Sequence, residues 1–156
     1  MKKITILFLF QTIFSFAQDF KTPYEKGNGN QTTTYEEMVK FYDDLDKNFE
    51  SISVVEKGKD DNGELIRVVI FDNSKKQNIP VILINNGIHP GESDGIDATM
   101  MLIRDLALGK IKVPQNTKVA AIEAYNISGM QRRGKFSRAN QNGPEEYGFR
   151  GNARNF

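Results

Sequence analysis

The apolar positions of the chain follow helical and strand-like periods in turn, which predicts an α/β protein. Over residues 35–49 they recur at helical spacing, and Thr33 or Thr34 precedes them as the first residue of a capping box. Segments 52–56 and 65–71 are rich in β-branched residues and flank a turn-rich connector. The first half of the chain therefore predicts a capped helix followed by a β-hairpin.

The second half begins with an unbroken apolar run over residues 80–84, which predicts a strand covered on both faces near the centre of a sheet. Asp94 is placed to cap a following helix, and Gly109 is placed to end it. The apolar face of this helix comprises Ile96, Met100, Ile103 and Ala107. Residues 118–125 predict another strand. Beyond them, residues 127–156 show neither period, and so long an aperiodic segment is typically functional or disordered.

The amino-terminal residues have the pattern of a bacterial secretory signal peptide. Lys2 and Lys3 precede an apolar run over 4–16, and small residues close it. We assign residues 1–17 to the signal peptide and expect an exported protein, periplasmic or extracellular, with no membrane association after cleavage. The polar residues 18–32 read as an irregular leader.

Charge and composition narrow the chemistry further. The 156-residue chain has a formal net charge of +1 with both signs interspersed, which gives no indication of a nucleic-acid partner. It contains no cysteine, so thiolate metal sites and thiol catalysis are excluded. It contains one histidine, so any imidazole chemistry depends on that residue.

That histidine, His89, lies in a short turn directly after the predicted central strand. Ligands of open α/β sheets bind at the carboxyl ends of strands. His89 offers an imidazole nitrogen and Glu92 a carboxylate, and both are good zinc ligands. Pro90 and Gly91 between them suit a tight turn. Taken alone, the pair is also compatible with a surface histidine in an ordinary turn.

The order of these features resembles the zinc carboxypeptidases. In that family, a His-x-x-Glu turn follows a central strand and precedes a helix. The segments that carry the resemblance are 34–38, 63–66, 89–92, 125–129, 137–144 and 150–155. The resemblance implies a three-layer α/β/α fold with a mixed sheet, whose catalytic domain begins near residue 33. It also implies one Zn²⁺ ion and a peptide or peptide-like substrate cut at its carboxyl end.

The resemblance assigns roles residue by residue. His89 and Glu92 match the first two zinc ligands, and Arg138 matches the arginine that stabilises the oxyanion, with Arg132 and Arg133 as alternatives. Many digestive members have an arginine just before the glutamate, where this chain has Gly91. A substrate contact on that side is therefore lost or supplied elsewhere.

Other parts of the family's site have no counterpart here. The family's third ligand is a second histidine, which the chain lacks, and the general-base glutamate would lie further on. The family binds the terminal carboxylate of the substrate with an Asn-Arg pair. Residues 154–155 of this chain are Arg-Asn, which is the reverse order, so we do not assign them that role. We therefore expect residues 33–156 to be an incomplete catalytic domain. Alone it would be inactive and poorly folded, with an exposed sheet edge.

Two other functions remain open from the sequence. The aspartoacylase-like deacylases share the His-x-x-Glu arrangement, but usually have Gly-Asn-Glu after the histidine. The chain is also compatible with an exported, non-catalytic binding domain that has lost its zinc site.

Overall fold

The computed structural model describes residues 19–74, 76–114, 116–138 and 142–152. The predicted signal peptide, 1–17, and the Arg-Asn pair at 154–155 lie outside them. The elements in chain order are α1 (Pro23–Lys26), α2 (Tyr35–Asn48), β1 (Ile52–Lys59), β2 (Leu65–Phe71), β3 (Val81–Asn85), α3 (Asp94–Ala107), β4 (Lys118–Ile122) and α4 (Ile127–Gln131). No helix in the described ranges is long and apolar enough to span a bilayer.

The strands form one mixed sheet in the order β1-β2-β4-β3. β1 and β2 make the predicted antiparallel hairpin, β4 runs antiparallel to β2, and β3 runs parallel to β4. The strand residues of the hydrophobic core, among them Val69, Phe71, Val119 and Ala121, share one face of the sheet and pack against α2 and α3. The α/β class with a mixed sheet is thus confirmed, whereas a helical layer on the second face stays a prediction.

The position of β3 corrects one expectation. Among the described residues it lies at the edge of the sheet, because β4 inserts between it and the hairpin. Three of its apolar residues, Val81, Ile82 and Leu83, are exposed, Leu83 to 63%, whereas Ile84 packs against the core. The expectation of an exposed apolar sheet edge is confirmed here.

Helix starts also refine the sequence-based expectations. The capping box of α2 uses Thr34 and Glu37, one of the two pairs that the sequence allowed. In α3 the N-cap is Ser93, so Asp94 is the first helical residue and not the cap. An acidic residue there is still favourable, because it faces the positive end of the helix dipole.

The leader is not wholly irregular, because Thr22 and Glu25 form a second capping box that starts α1. Buried side chains attach this segment to the domain. Arg104 of α3 forms an ion pair with Glu25, and Asp97 of α3 accepts a hydrogen bond from the hydroxyl of Thr32. The leader therefore packs on α3, close to the turn that contains His89.

Candidate functional site

The turn after β3 is fixed by backbone hydrogen bonds to the segment after β4. Tyr125 N donates to Asn86 O at 2.8 Å, and Asn126 N donates to Gly87 O at 2.9 Å. Gly87 has φ +64°, and a Cβ there would lie 3.3 Å from the Ala124 backbone. Glycine is therefore favoured both by its φ and by the close approach of the two segments.

His89 and Glu92 lie within one tight turn, as predicted. Glu92 N donates to His89 O at 2.8 Å, which closes the turn. Glu92 Oε1 lies 4.0 Å from His89 Nδ1, and the two side chains are 45% and 28% exposed. The two predicted metal ligands therefore present their donor atoms side by side.

Arg138 reaches the same carboxylate from the aperiodic carboxyl-terminal segment. Its Nη1 lies 2.6 Å from Glu92 Oε1, and its Cδ lies 3.5 Å from the place where a Cβ of Gly91 would be. A side chain at position 91 would also meet Gly148 O at 2.9 Å. Gly91 thus leaves room for Arg138, which brings positive charge to the side of the turn where the sequence lacks an arginine.

The structure separates Arg138 from the alternatives. Arg133 donates to the backbone carbonyls of Thr32, Thr33 and Glu146, so its guanidinium joins the leader to the loop. Arg132 is exposed just beyond α4. Among the three candidates, Arg138 is the one whose guanidinium contacts a predicted ligand in the described structure.

Arg150 is a further charged residue at this cluster, beside Glu92 and Arg138, and the sequence assigned it no role. Its Nη1 lies 3.7 Å from Glu92 Oε1, and its side chain is half exposed. Arg150 comes from a segment without periodicity, so no local signal places it beside Glu92. The two arginines give the cluster a surplus of positive charge.

Buried side chains hold the backbone that carries both arginines. Asn126 accepts from Gly129 N at 2.9 Å, which caps α4, and its Nδ2 donates to Arg150 O and Gly151 O. The hydroxyl of buried Tyr147 lies 2.7 Å from Lys135 O and 3.1 Å from Arg138 O, so its one proton is shared between these two carbonyl oxygens. The Asn-x-x-Gly sequence is therefore a capped turn that also anchors the loop.

Comparisons with known proteins support the fold. No protein-family model matches the chain, and no curated protein matches it in sequence. Among solved structures, carboxypeptidase A from Helicoverpa armigera is similar, with a TM-score of 0.58 and 24% identity, over 65% of this chain and 26% of that one. Bovine thrombin-activatable fibrinolysis inhibitor, in complex with tick carboxypeptidase inhibitor, is similar with a TM-score of 0.56 and 15% identity, over 65% of this chain and 33% of that one. A further structure of thrombin-activatable fibrinolysis inhibitor has a TM-score of 0.59 and 13% identity, over 65% of this chain and 27% of that one.

The described chain has a carboxypeptidase-like fold. It spans about a quarter to a third of the length of these solved structures. At such low identities the similarity is one of fold, so the activity must be argued from the side chains of this chain.

The two candidate ligands at the cluster are of types that bind zinc, but they are fewer than a catalytic zinc site usually has. A catalytic zinc site typically takes three protein ligands, and an imidazole with a carboxylate is a suitable pair among them. In the described ranges, no three His, Cys, Asp or Glu side chains come together to hold a metal. His89 and Glu92 are therefore a partial donor set.

Proposed function

We propose that this chain contributes two zinc ligands, His89 and Glu92, and an oxyanion-stabilising arginine, Arg138, to a zinc-dependent carboxypeptidase. The substrate would be a peptide or peptide-like chain that is hydrolysed at its carboxyl end. The observation that carries the proposal is the convergence of these three side chains at the carboxyl end of β3, on a carboxypeptidase-like fold.

Each residue has a defined task in this proposal. His89 and Glu92 hold the ion, which when bound supplies Lewis acidity and a water of lowered pKa. Arg138 is permanently charged, and its guanidinium would donate hydrogen bonds to the oxygen that becomes negative during amide hydrolysis. The proposal also needs a third ligand, because the described residues bring no third metal-binding side chain to the cluster.

Activity on two substrate classes tests this function. A form of the protein long enough to supply the missing ligand should release the last residue of an N-blocked dipeptide, and a chelator should abolish the reaction. Glu92→Gln should lower kcat/KM by more than about a hundredfold, because loss of a ligand should exceed the roughly 10- to 100-fold effect of losing a residue that only supports one. The exposed Glu146→Gln is the matched control and should retain activity.

Four results would count against the proposal. Chelator-resistant hydrolysis would exclude the metal, and full activity in Glu92→Gln would exclude this ligand. Preferential cleavage of N-acetyl amino acids would indicate the deacylase chemistry instead. The 156-residue chain alone is expected to be inactive, so efficient hydrolysis by it would contradict the need for further groups.

We also propose that the protein is exported, on the basis of its amino-terminal sequence. Lys2 and Lys3, the apolar run and the small residues that close it support cleavage near Gln18. Mass spectrometry of the intact secreted protein should find a mature chain beginning close to that residue. A retained amino terminus would contradict export by this route.

A further inference from the structure

Three side chains of the candidate site lie around one oxygen atom, Glu92 Oε1. Glu92 Oε1 lies 2.6 Å from Arg138 Nη1, 3.7 Å from Arg150 Nη1 and 4.0 Å from His89 Nδ1. Of these neighbours, Arg138 is the one within hydrogen-bond distance. The oxygen that faces His89, and that would share a metal with it, is therefore the one that Arg138 binds.

A metal ion and Arg138 cannot both bind this oxygen without a penalty. A carboxylate–zinc bond is about 2.0–2.2 Å long, so an ion there would lie close to a guanidinium that is held at hydrogen-bond distance. The guanidinium keeps its charge at any ordinary pH, so the repulsion cannot be relieved by loss of a proton. Occupancy by one cation must weaken the binding of the other.

The backbone around Arg138 is held by hydrogen bonds, so the Arg138 side chain can change partners without a change in the fold. Its backbone carbonyl accepts a hydrogen bond from the hydroxyl of Tyr147, a residue that is 4% exposed. The preceding Ser137 hydroxyl lies 2.8 Å from Tyr147 O and 3.0 Å from Gly148 O. The Arg138 side chain is 31% exposed. A rotation of this side chain alone would take the guanidinium away from Glu92.

We propose that Arg138 and the metal compete for Glu92 Oε1, so that metal binding frees the Arg138 guanidinium for the substrate. This inference rests on the proposed function, because it takes His89 and Glu92 as the ligands. It adds that assembly of the metal centre and delivery of the oxyanion-stabilising arginine are one coupled event. Because the two binding events are thermodynamically linked, the effect is reciprocal. The ion pair with Arg138 weakens metal binding by a certain factor, and the metal weakens the ion pair by the same factor.

The single histidine gives a direct measurement of metal binding. With isotope-labelled histidine, the chain has one imidazole to follow by NMR during a zinc titration. Removal of a partly exposed ion pair should tighten zinc binding about two- to fivefold in Arg138→Gln. Arg138→Lys keeps the positive charge and should stay closer to wild type. Arg132→Gln removes an exposed arginine beyond α4 and should leave zinc affinity unchanged.

Chemical modification reports the other side of the coupling. Phenylglyoxal attacks free guanidinium groups, and peptide mass spectrometry can follow each arginine separately. Zinc should raise the modification rate of Arg138, because the ion pair with Glu92 is broken, while Arg132 should react at the same rate with and without zinc. Glu92→Gln should make Arg138 reactive in both conditions.

The outcomes separate this inference from the proposed function. If zinc shifts the His89 signals in wild type and not in Glu92→Gln, but Arg138→Gln binds with unchanged affinity, the competition is wrong and the ligand assignment stands. If zinc leaves His89 unaffected in wild type and in Arg138→Gln alike, the competition is wrong, and the ligand assignment is then decided by the chelator and Glu92→Gln assays of the longer form. Circular dichroism of each variant establishes that the fold is retained.

Discussion

Glu123, at the end of β4, is a buried carboxyl group whose protonation should control stability near neutral pH. Its side chain is 1% exposed, and Oε2 accepts a hydrogen bond from Arg67 Nε at 3.0 Å. Within the described structure, Oε1 has no hydrogen-bond partner. Burial raises the pKa of Glu123 to about 7 and outweighs the opposing effect of the Arg67 charge.

The direction of the pH effect follows from this pKa. An unfolded glutamate has a pKa of 4.5, so between that value and about 7 the folded chain holds a proton that the unfolded chain has lost. The free energy of unfolding therefore falls as pH rises through this range. Each pKa unit corresponds to about 1.4 kcal/mol, so the loss attributable to this group is about 3 kcal/mol.

Glu123→Gln isolates this contribution, because the amide has nearly the same shape and does not titrate. Urea unfolding of a cooperatively folding form, followed by far-UV circular dichroism at about pH 5 and about pH 8, should show a stability loss about 2–3 kcal/mol larger in wild type than in the variant. Burial also raises the pKa of Asp97, but that contribution is common to both proteins and cancels. Equal pH dependence in the two proteins would refute the assignment.

Three further substitutions test the local structure around the site, each by thermal or urea unfolding. Asn126→Ala removes the cap of α4 and two donors to loop carbonyls, and should cost about 1–3 kcal/mol, whereas Asn126→Asp keeps the cap and should cost less. Gly91→Ala places a Cβ 2.9 Å from a carbonyl oxygen and should cost about 1–3 kcal/mol, while Gly143→Ala meets nothing within 4 Å and should be neutral. Thr34→Ala removes the α2 cap and should cost about 1 kcal/mol; no loss there would show that the capping box contributes little.

Much of the fold was predictable because its signals are local. The helical spacing that begins at Tyr35, with a threonine and a glutamate three residues apart at its start, specifies α2 and its cap. The hairpin and the two parallel strands follow from β-branched composition and turn residues in the same way. The spacing of His89 and Glu92 is likewise local, since a single hydrogen bond closes their turn.

What the sequence could not provide depends on contacts between distant segments. An unbroken apolar run predicts that β3 should be covered, but it does not identify the strand beside it, and in the described structure β4 lies between β3 and the hairpin. Arg150 follows an aperiodic segment, so its approach to Glu92 depends on the hydrogen bond from Asn126, 24 residues earlier. No period or motif encodes such a contact.

The candidate site therefore has two parts with different physical origins. The turn that contains His89 and Glu92 is closed by its own backbone and attached to the sheet through β3. The arginines depend instead on Asn126 and Tyr147, which hold the loop that carries them. Asn126 also donates its backbone N–H to Gly87 O at the start of this turn, but Asn126→Ala keeps that backbone bond and removes only the side-chain bonds, among them those to Arg150 O and Gly151 O. The substitution should therefore move the positive charge away from Glu92 and leave the spacing of His89 and Glu92 intact. The proposed metal ligands and the proposed oxyanion-stabilising arginine could thus be displaced by separate substitutions, even though they meet at a single carboxylate oxygen.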